Sequence, residues 1–414
     1  MSVAHFGSFD GLWESLLDVG RDRSSGGYRR FAWTAADFTL REWFTGEAQR
    51  RSMSVEEDRN GNLWAWWLPP GTTGDPAGAF VTGSHLDSVP DGGAFDGPLG
   101  IVSAFAAIDE LRAAGTAPRV PVAVVAFSDE EGARFGVACV GSQLSTGALP
   151  ADRGLALRDG DGITLAEAMS AAGRDPAHVG ADPALARRVG VYVELHVEQG
   201  RALDLVDHPV AVASAIWPHG RWRFTFCGEA NHAGATRLVD RRDPMLTFAT
   251  AVHDARSRAA AHDAVATFAK LAVTPNGANA IPSRVQAWLD ARAADQDTLS
   301  ALVDEIAADA LSAAATDGTT VDLDTESVSP AVVFPDEPRE RIRRVLAPEF
   351  GEVPVMATAA GHDAGVLSAA VPTAMLFVRN PTGVSHSPAE HAEIADCRAG
   401  ARALAAVMAD WAGG

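Results

Sequence analysis

Val120-Pro-Val-Ala-Val-Val-Ala-Phe127, followed at once by Ser128-Asp-Glu130-Glu131-Gly132, is the stretch from which the fold is read. The apolar run is nearly continuous, as expected of a strand buried on both faces of a sheet. Three consecutive acids directly after such a strand would be costly to bury without cations. Upstream, Ala79-Phe-Val-Thr82 is a second short apolar strand, ending at Gly83-Ser84-His85. Downstream, Val189-Gly-Val-Tyr-Val-Glu-Leu195 is a third, and Thr373-Ala-Met-Leu-Phe-Val378 a fourth. Asn62-Leu-Trp-Ala-Trp-Trp67, closed by the Pro69-Pro70-Gly71 turn, also reads as a strand. Residues 10–50 recur in Phe, Trp and Leu at helical spacing, and residues 100–114 form an Ala-rich helix. Strands alternating with helices predict an α/β fold, a mixed sheet with helices on both faces.

The pattern changes near residue 213. Arg221-Trp-Arg-Phe-Thr-Phe226 alternates polar with apolar, which suits a strand with one wet face. A helix at about 243–262, strands near 265–273 and 284–293, and a helix near 296–315 complete an α+β unit of βαββαβ type. A proline-rich stretch (Pro330, Pro335, Pro338) then leads back to helix, strand and a long Ala-rich helix. The expected domains are a discontinuous main domain, 1–212 with 330–414, and an inserted domain, 213–329.

The bulk numbers exclude some functions. Of 414 residues, 47% are hydrophobic and 21% charged, enough for a core of ordinary size. A net charge of −20 argues against nucleic acid and against an anionic membrane surface. Cys139, Cys227 and Cys397 are far apart and form no CxxC pair, so neither a disulfide framework nor a thiolate zinc site is expected. The first residues carry acids and lack a basic segment followed by an apolar run, and no stretch of 18 apolar residues occurs. The expected location is the cytoplasm.

Five segments gather metal-ligand residue types near predicted strand ends. They are Gly83-Ser-His85-Leu-Asp87; Asp91-Gly-Gly-Ala-Phe-Asp96-Gly97; Ser128-Asp-Glu130-Glu131-Gly132; Glu194-Leu-His196-Val-Glu-Gln199-Gly200; and Ser385-His386-Ser-Pro-Ala-Glu390. Ligands of open α/β sheets gather at the carboxyl ends of strands, so the five can converge there. Imidazoles and carboxylates without a thiolate suit Zn²⁺ or Mn²⁺. Taken singly each segment is weak, because a lone His is more often a satisfied polar residue than a ligand. Their joint occurrence in this order favours function.

These segments, with Gly228-Glu-Ala-Asn-His232-Ala-Gly234 and Gly383–Glu390, resemble the dinuclear-metal amidohydrolases related to aminoacylases and carboxypeptidases. More narrowly they resemble the branch of N-carbamoyl-L-amino-acid hydrolases, allantoate amidohydrolases and β-ureidopropionases, from about residue 30 to the C-terminus. The resemblance implies two divalent ions per subunit, Zn²⁺ or Mn²⁺, with Co²⁺ or Ni²⁺ as further candidates. His85 and His196 would bind one, Glu131 and His386 the other, and Asp96 would bridge them. Glu130 would be the general base, taking a proton from a water shared by the ions and passing it to the leaving nitrogen. Asp87 would hold the His85 ring from behind. His232 would stabilise the oxyanion, reaching the site from a partner subunit. Outside this resemblance His232 reads as a turn residue.

On the substrate side the resemblance implies that Asn279 and Arg292 clamp a carboxylate. Gln199 would contact the ureido group or carboxylate, and Gly361 and His362 would belong to a substrate loop. One departure stands out: relatives usually continue Thr-Thr-Pro-Met after the His-Ala-Gly motif, whereas this chain reads Ala235-Thr236-Arg237-Leu238. The implied reaction is cleavage of the carbamoyl C–N bond of allantoate or an N-carbamoyl-L-amino acid, releasing CO₂ and ammonia. An N-acyl-amino-acid hydrolase or dipeptidase is the alternative, and His196 speaks against it because that branch usually carries a carboxylate there. A binding protein without catalysis would have lost Glu130 or a ligand, and none is lost. The inserted domain is expected to pair two copies into a homodimer, with hinge motion near 212 and 329.

Overall fold

The computed structural model describes residues 8–413. The chain divides into two compact units, one running to Ser214 and resuming at Phe334, the other spanning Ala215–Val333. The strand Val210–Ile216 runs through the first crossing point, so the expected break at 212 falls inside an element.

The first unit is built on a mixed sheet. Its strands lie in the order Ser54–Glu57, Leu63–Trp67, Val122–Phe127, Ala79–His85, Val189–Val197, Thr373–Val378 and Val210–Ile216, with Val355–Thr358 beside the last. Four strands are mutually parallel, from Val122–Phe127 across to Thr373–Val378. Their flanking neighbours run antiparallel. The parallel strands are almost wholly buried, which explains their unbroken apolar sequences. Helices Pro98–Ala113 and Ile394–Ala412 pack together in the larger core, with Phe105, Ile108, Leu404 and Met408 buried. A smaller cluster around Trp33, Phe135, Leu144, Leu165 and Met169 forms apart from it.

The 10–50 region resolves into two helices, Phe9–Leu16 and Ala35–Arg50. The segment 140–178 holds short helices with no counterpart in the sequence reading. The proline-rich stretch opens the helix Asp336–Phe350, where Pro338 in the first turn lacks only an N–H that no carbonyl would have met.

The second unit is a four-stranded antiparallel sheet in the order Thr320–Ser329, His219–Cys227, Arg284–Arg292, Val265–Thr274. Helices Pro244–Ala261 and Gln296–Asp317 pack on each other and on the sheet. In chain order this is βαββαβ. Trp222, Phe224 and Phe226 are buried against Leu299, Leu302 and Ile306, while Arg221 is exposed, as the alternation requires. Where the chain enters and leaves this unit, Ile216 pairs with Val332 and Ala215 with Val333. Among the described residues no helix is long and apolar enough to cross a membrane.

Candidate metal centre

The parallel strands deliver the polar residues to one end of the first unit's sheet. His85 is the last residue of its strand and lies level with Phe127, so the acids that follow Phe127 begin beside it. Gly83 pairs with Glu194 on the next strand. Two residues further along each strand, His85 and His196 point to the same face, with ring centroids 5.8 Å apart. Backbone space makes this possible. A Cβ at Gly97, whose φ is +85°, would lie 2.4 Å from Cε1 of His85.

Two groups of ligand-type atoms result, and Asp96 belongs to both. His85, Asp96 and His196 form one, and Asp96, Glu131 and His386 the other. Asp96 Oδ1 lies 3.5 Å from His85 Nε2 and 3.2 Å from His196 Nε2. Its Oδ2 lies 3.4 Å from His386 Nε2, which is 3.5 Å from Glu131 Oε2. The two inner rings are oriented by their other nitrogens. His85 Nδ1 donates to the carbonyl of Asp87 at 3.1 Å and His196 Nδ1 to that of Val197 at 2.9 Å. Each Nε2 is then the nitrogen that faces Asp96, and in the neutral ring it is the one left with a lone pair for a metal ion.

Asp87 departs from its expected role in detail. Its backbone carbonyl holds the His85 ring, and its carboxylate lies 3.6 Å from that ring. The carboxylate oxygens instead accept the N–H groups of Glu130 and Glu131, at 3.1 and 3.0 Å. A two-oxygen acceptor suits two successive N–H groups at a turn, so Asp87 shapes the acid loop. Asp129, between Ser128 and Glu130, lies at φ +55°, and His386 at +54°. Backbone in this sparsely populated region gathers at sites whose surroundings force it.

Gln199 also joins the site. Its Nε2 donates to Asp96 Oδ2 at 2.9 Å and lies 3.2 Å from His386 Nε2. His362 is buried against His196, ring centroids 4.4 Å apart. Gly361 precedes it, exposed, at the start of the helix Asp363–Leu367.

Three further carboxylates enter without an assigned role in the sequence reading, although each ended or flanked a quoted segment. Glu390 accepts the N–H groups of Phe95 and Asp96 at 2.8 and 3.0 Å, and Ser385 Oγ donates to its other oxygen at 3.2 Å. Glu194 accepts from Ser84 Oγ and from Ala364 N–H. Asp363 accepts from Ser142 Oγ. With Asp87, Asp96, Asp129 and Glu130 they make seven buried acids.

So many buried carboxylates perturb one another. Burial drives the Glu130 carboxyl well above its ordinary range, and burial with Asp96 raises Glu131 to about 7. Burial works against charge on Asp96 too, yet the three histidines hold it well below the usual carboxylate range. The Asp96 contact raises His386 to about 9. Burial pushes His362 the other way, well below 6.5. The centre therefore attracts positive charge. The residues fit divalent ions: Glu131 Oε1 and His196 Nε2 are buried without a hydrogen-bond partner, and the donors are imidazole and carboxylate only.

His232, Asn279 and Arg292 lie in the second unit. His232 pairs with Ala280, and the Asn279 carbonyl accepts the N–H of Ala233. The His232 Nδ1 accepts the N–H groups of Gly234 and Ala235, both at 3.1 Å, which leaves Nε2 as the protonated nitrogen. Arg292 is elsewhere. It ends the strand Arg284–Arg292, opposite His219, and its guanidinium binds Asp290. The chain reaches Asn279 and Ile281 at the other end of that strand, and eight residues of strand span about 27 Å. Thus this unit brings His232 and Asn279 together and keeps Arg292 apart.

Comparison with known proteins agrees with this geometry. Residues 81–410 match the profile of Peptidase family M20/M25/M40. The chain is 37% identical over 401 residues to an N-carbamoyl-L-amino acid amidohydrolase of Geobacillus stearothermophilus, covering 95% of this chain and 96% of the relative. It is 29% identical over 395 residues to an allantoate amidohydrolase of Escherichia coli, covering 95% of each. A crystal structure of an amidase of the hydantoinase/carbamoylase family from Burkholderia vietnamiensis superposes with a TM-score of 0.86 at 31% identity, covering 98% of both chains. A mixed sheet ending in two trios of ligand-type residues around one aspartate, and a family match over residues 81–410, place this protein in peptidase family M20/M25/M40.

Proposed function

We propose that this protein is a metal-dependent amidohydrolase that cleaves the carbamoyl C–N bond of a ureido acid. The observation that carries the reading is the pair of trios sharing Asp96, with Glu130 beside them: its Oε2 lies 3.8 Å from His85 Nε2. The names of the relatives direct it to ureido acids. The 37% identity to the N-carbamoyl-L-amino acid enzyme favours that substrate class, and allantoate is the second reading.

In this reading His85 and His196 would hold one divalent ion and Glu131 and His386 a second, with Asp96 shared between the two groups. Such ions, Zn²⁺ or Mn²⁺ foremost, supply Lewis acidity that lowers the proton affinity of a water and draws charge from a carbonyl. Glu130 accepts the proton that the attacking water loses and delivers it to the leaving nitrogen. With one water, R–NH–CO–NH₂ becomes R–NH₂, CO₂ and NH₃. Gln199 and His362 border the centre and contact the ureido end, with Gly361 giving the loop room. His232 Nε2–H is a donor for the oxyanion.

The second unit's geometry supports a homodimer. Asn279 and His232 at one end of its sheet and Arg292 at the other are too far apart for one copy to apply all three to one small substrate. Two copies pairing through 213–329 would let one supply Arg292 and its partner His232 and Asn279. The three cysteines are all free, in keeping with a reducing, cytoplasmic setting.

Ammonia release from ureido acids, and acetate release from an N-acetyl-amino acid, which yields no ammonia, test the reading in the ion-loaded protein. Allantoate, several N-carbamoyl-L-amino acids and an N-acetyl-amino acid are offered, with Glu130→Gln as control. Turnover of a ureido acid, lowered about 10²- to 10⁴-fold by Glu130→Gln, is expected. Turnover of the N-acetyl compound alone would overturn it in favour of an aminoacylase.

A further inference from the structure

Glu130 is gripped from behind by a cysteine. Cys139 is buried and adopts φ +54° immediately before the helix Val140–Thr146. Its N–H donates to the Glu130 carbonyl at 2.6 Å, and the next two N–H groups, of Val140 and Gly141, donate to the carbonyls of Asp129 and Ser128. Three successive donors at the start of a helix thus meet three successive acceptors of the acid loop. Slipping this register would leave buried backbone groups unpaired, so the side chain of Cys139 is fixed relative to that of Glu130.

The side-chain contact follows. Cys139 Sγ donates to Glu130 Oε1 at 3.1 Å. The other oxygen, Oε2, is the one 3.8 Å from His85 Nε2, on the side of the ligand trios. The last torsion of a glutamate is broad and nearly two-fold, so without a partner the two oxygens would exchange places with little resistance. One donor on Oε1 removes that freedom. Burial, and Glu130 itself, keep the thiol protonated and therefore a donor.

We propose that Cys139 is a positioning residue: its S–H holds Oε1 of Glu130 so that Oε2 is the oxygen presented to the attacking water. This rests on the reading of Glu130 as the base. Nothing about ion binding is asked of Cys139, since it lies in neither trio.

The experiment compares Cys139→Ala, Cys139→Ser and Glu130→Gln in the ion-loaded protein. It measures kcat and KM for the best ureido acid, ion content by elemental analysis, and melting temperature. Cys139→Ala is expected to lower kcat about fivefold to tenfold, the scale of one ordinary net hydrogen bond, with KM and ion content unchanged. Cys139→Ser keeps a donor and is expected to recover most of the loss. Native kcat in Cys139→Ala overturns the proposal. So does a serine variant as slow as the alanine one, or loss of ions from Cys139→Ala, which would mark a merely structural residue. If Glu130→Gln is silent while Cys139→Ala is native, only the positioning role fails. If Glu130→Gln still turns over, the reading of Glu130 fails and the positioning role with it.

Discussion

His85 and His196 each bind a backbone carbonyl through Nδ1 and face Asp96 through Nε2, whereas His386 is half exposed and meets Glu131 and Gln199. The charge state of such a centre depends on what positive charge it holds. In the ion-free protein Glu131 and Glu390 are raised to about 7, both chiefly by burial, and His386 to about 9, chiefly by Asp96. Glu131 and Glu390 thus retain protons that the unfolded chain has released from their ordinary 4.5 up to about 7, and His386 retains one between pH 7 and 9. Stability must fall as pH rises through both windows. His362 acts in the opposite sense, but only below its ordinary 6.5. The melting temperature of the chelated protein is therefore expected to drop from pH 7 to pH 9, and saturating divalent ion to flatten the dependence. A chelated protein with a level profile would contradict this. At this scale, residue type pointed to the candidate ligands only through the joint occurrence of five segments, since each taken singly is weak. It gave no role to Glu390, whose partners are the N–H groups of Phe95 and Asp96 and the hydroxyl of Ser385, and it did not reveal Cys139, whose type gives no hint of Glu130.

The elements explain why residues so distant in sequence meet. Parallel strands end on one side of a sheet, and His85, the acid loop after Phe127, His196 and the segment after Val378 all follow from that rule. The buried strands were legible because residues covered on both faces must be apolar throughout. The helices between 140 and 178 were not: they are five to seven residues long apart from a single 3₁₀ turn, too short for a periodic stripe to emerge. One junction is open to test. Gly97 caps the helix Pro98–Ala113 at φ +85°, with the His85 ring against it. Gly97→Ala is expected to cost about 1–3 kcal/mol through strained backbone and a displaced ring, and to weaken binding of the ion proposed at His85 and His196. Thermal unfolding with and without ion measures both. Native ion affinity in the variant would show that the ring has room to move.

For the whole molecule, the proposed homodimer raises the question of which copy completes a site. Mixing Glu130→Gln with His232→Ala and allowing subunits to exchange separates the answers. If His232 acts on the partner's site, each heterodimer holds one complete site. Random pairing makes half the dimers mixed, so turnover should return to about a quarter of native from two inactive parents. No recovery, with mixed dimers present, would mean that His232 acts within its own subunit or not at all. By itself the sequence determined the α/β class, the βαββαβ insertion and the five segments that gather ligand-type residues. Each depends on local pattern: strand burial, alternation, and residue types that suit one chemistry. Only the tertiary structure decided that Asp96 faces both trios, that the Asp87 carboxylate shapes the acid loop while its carbonyl holds His85, and that Arg292 stands a strand's length from Asn279. Those are relations between side chains brought together by strand register, and register is set by packing across the sheet, which no single segment carries.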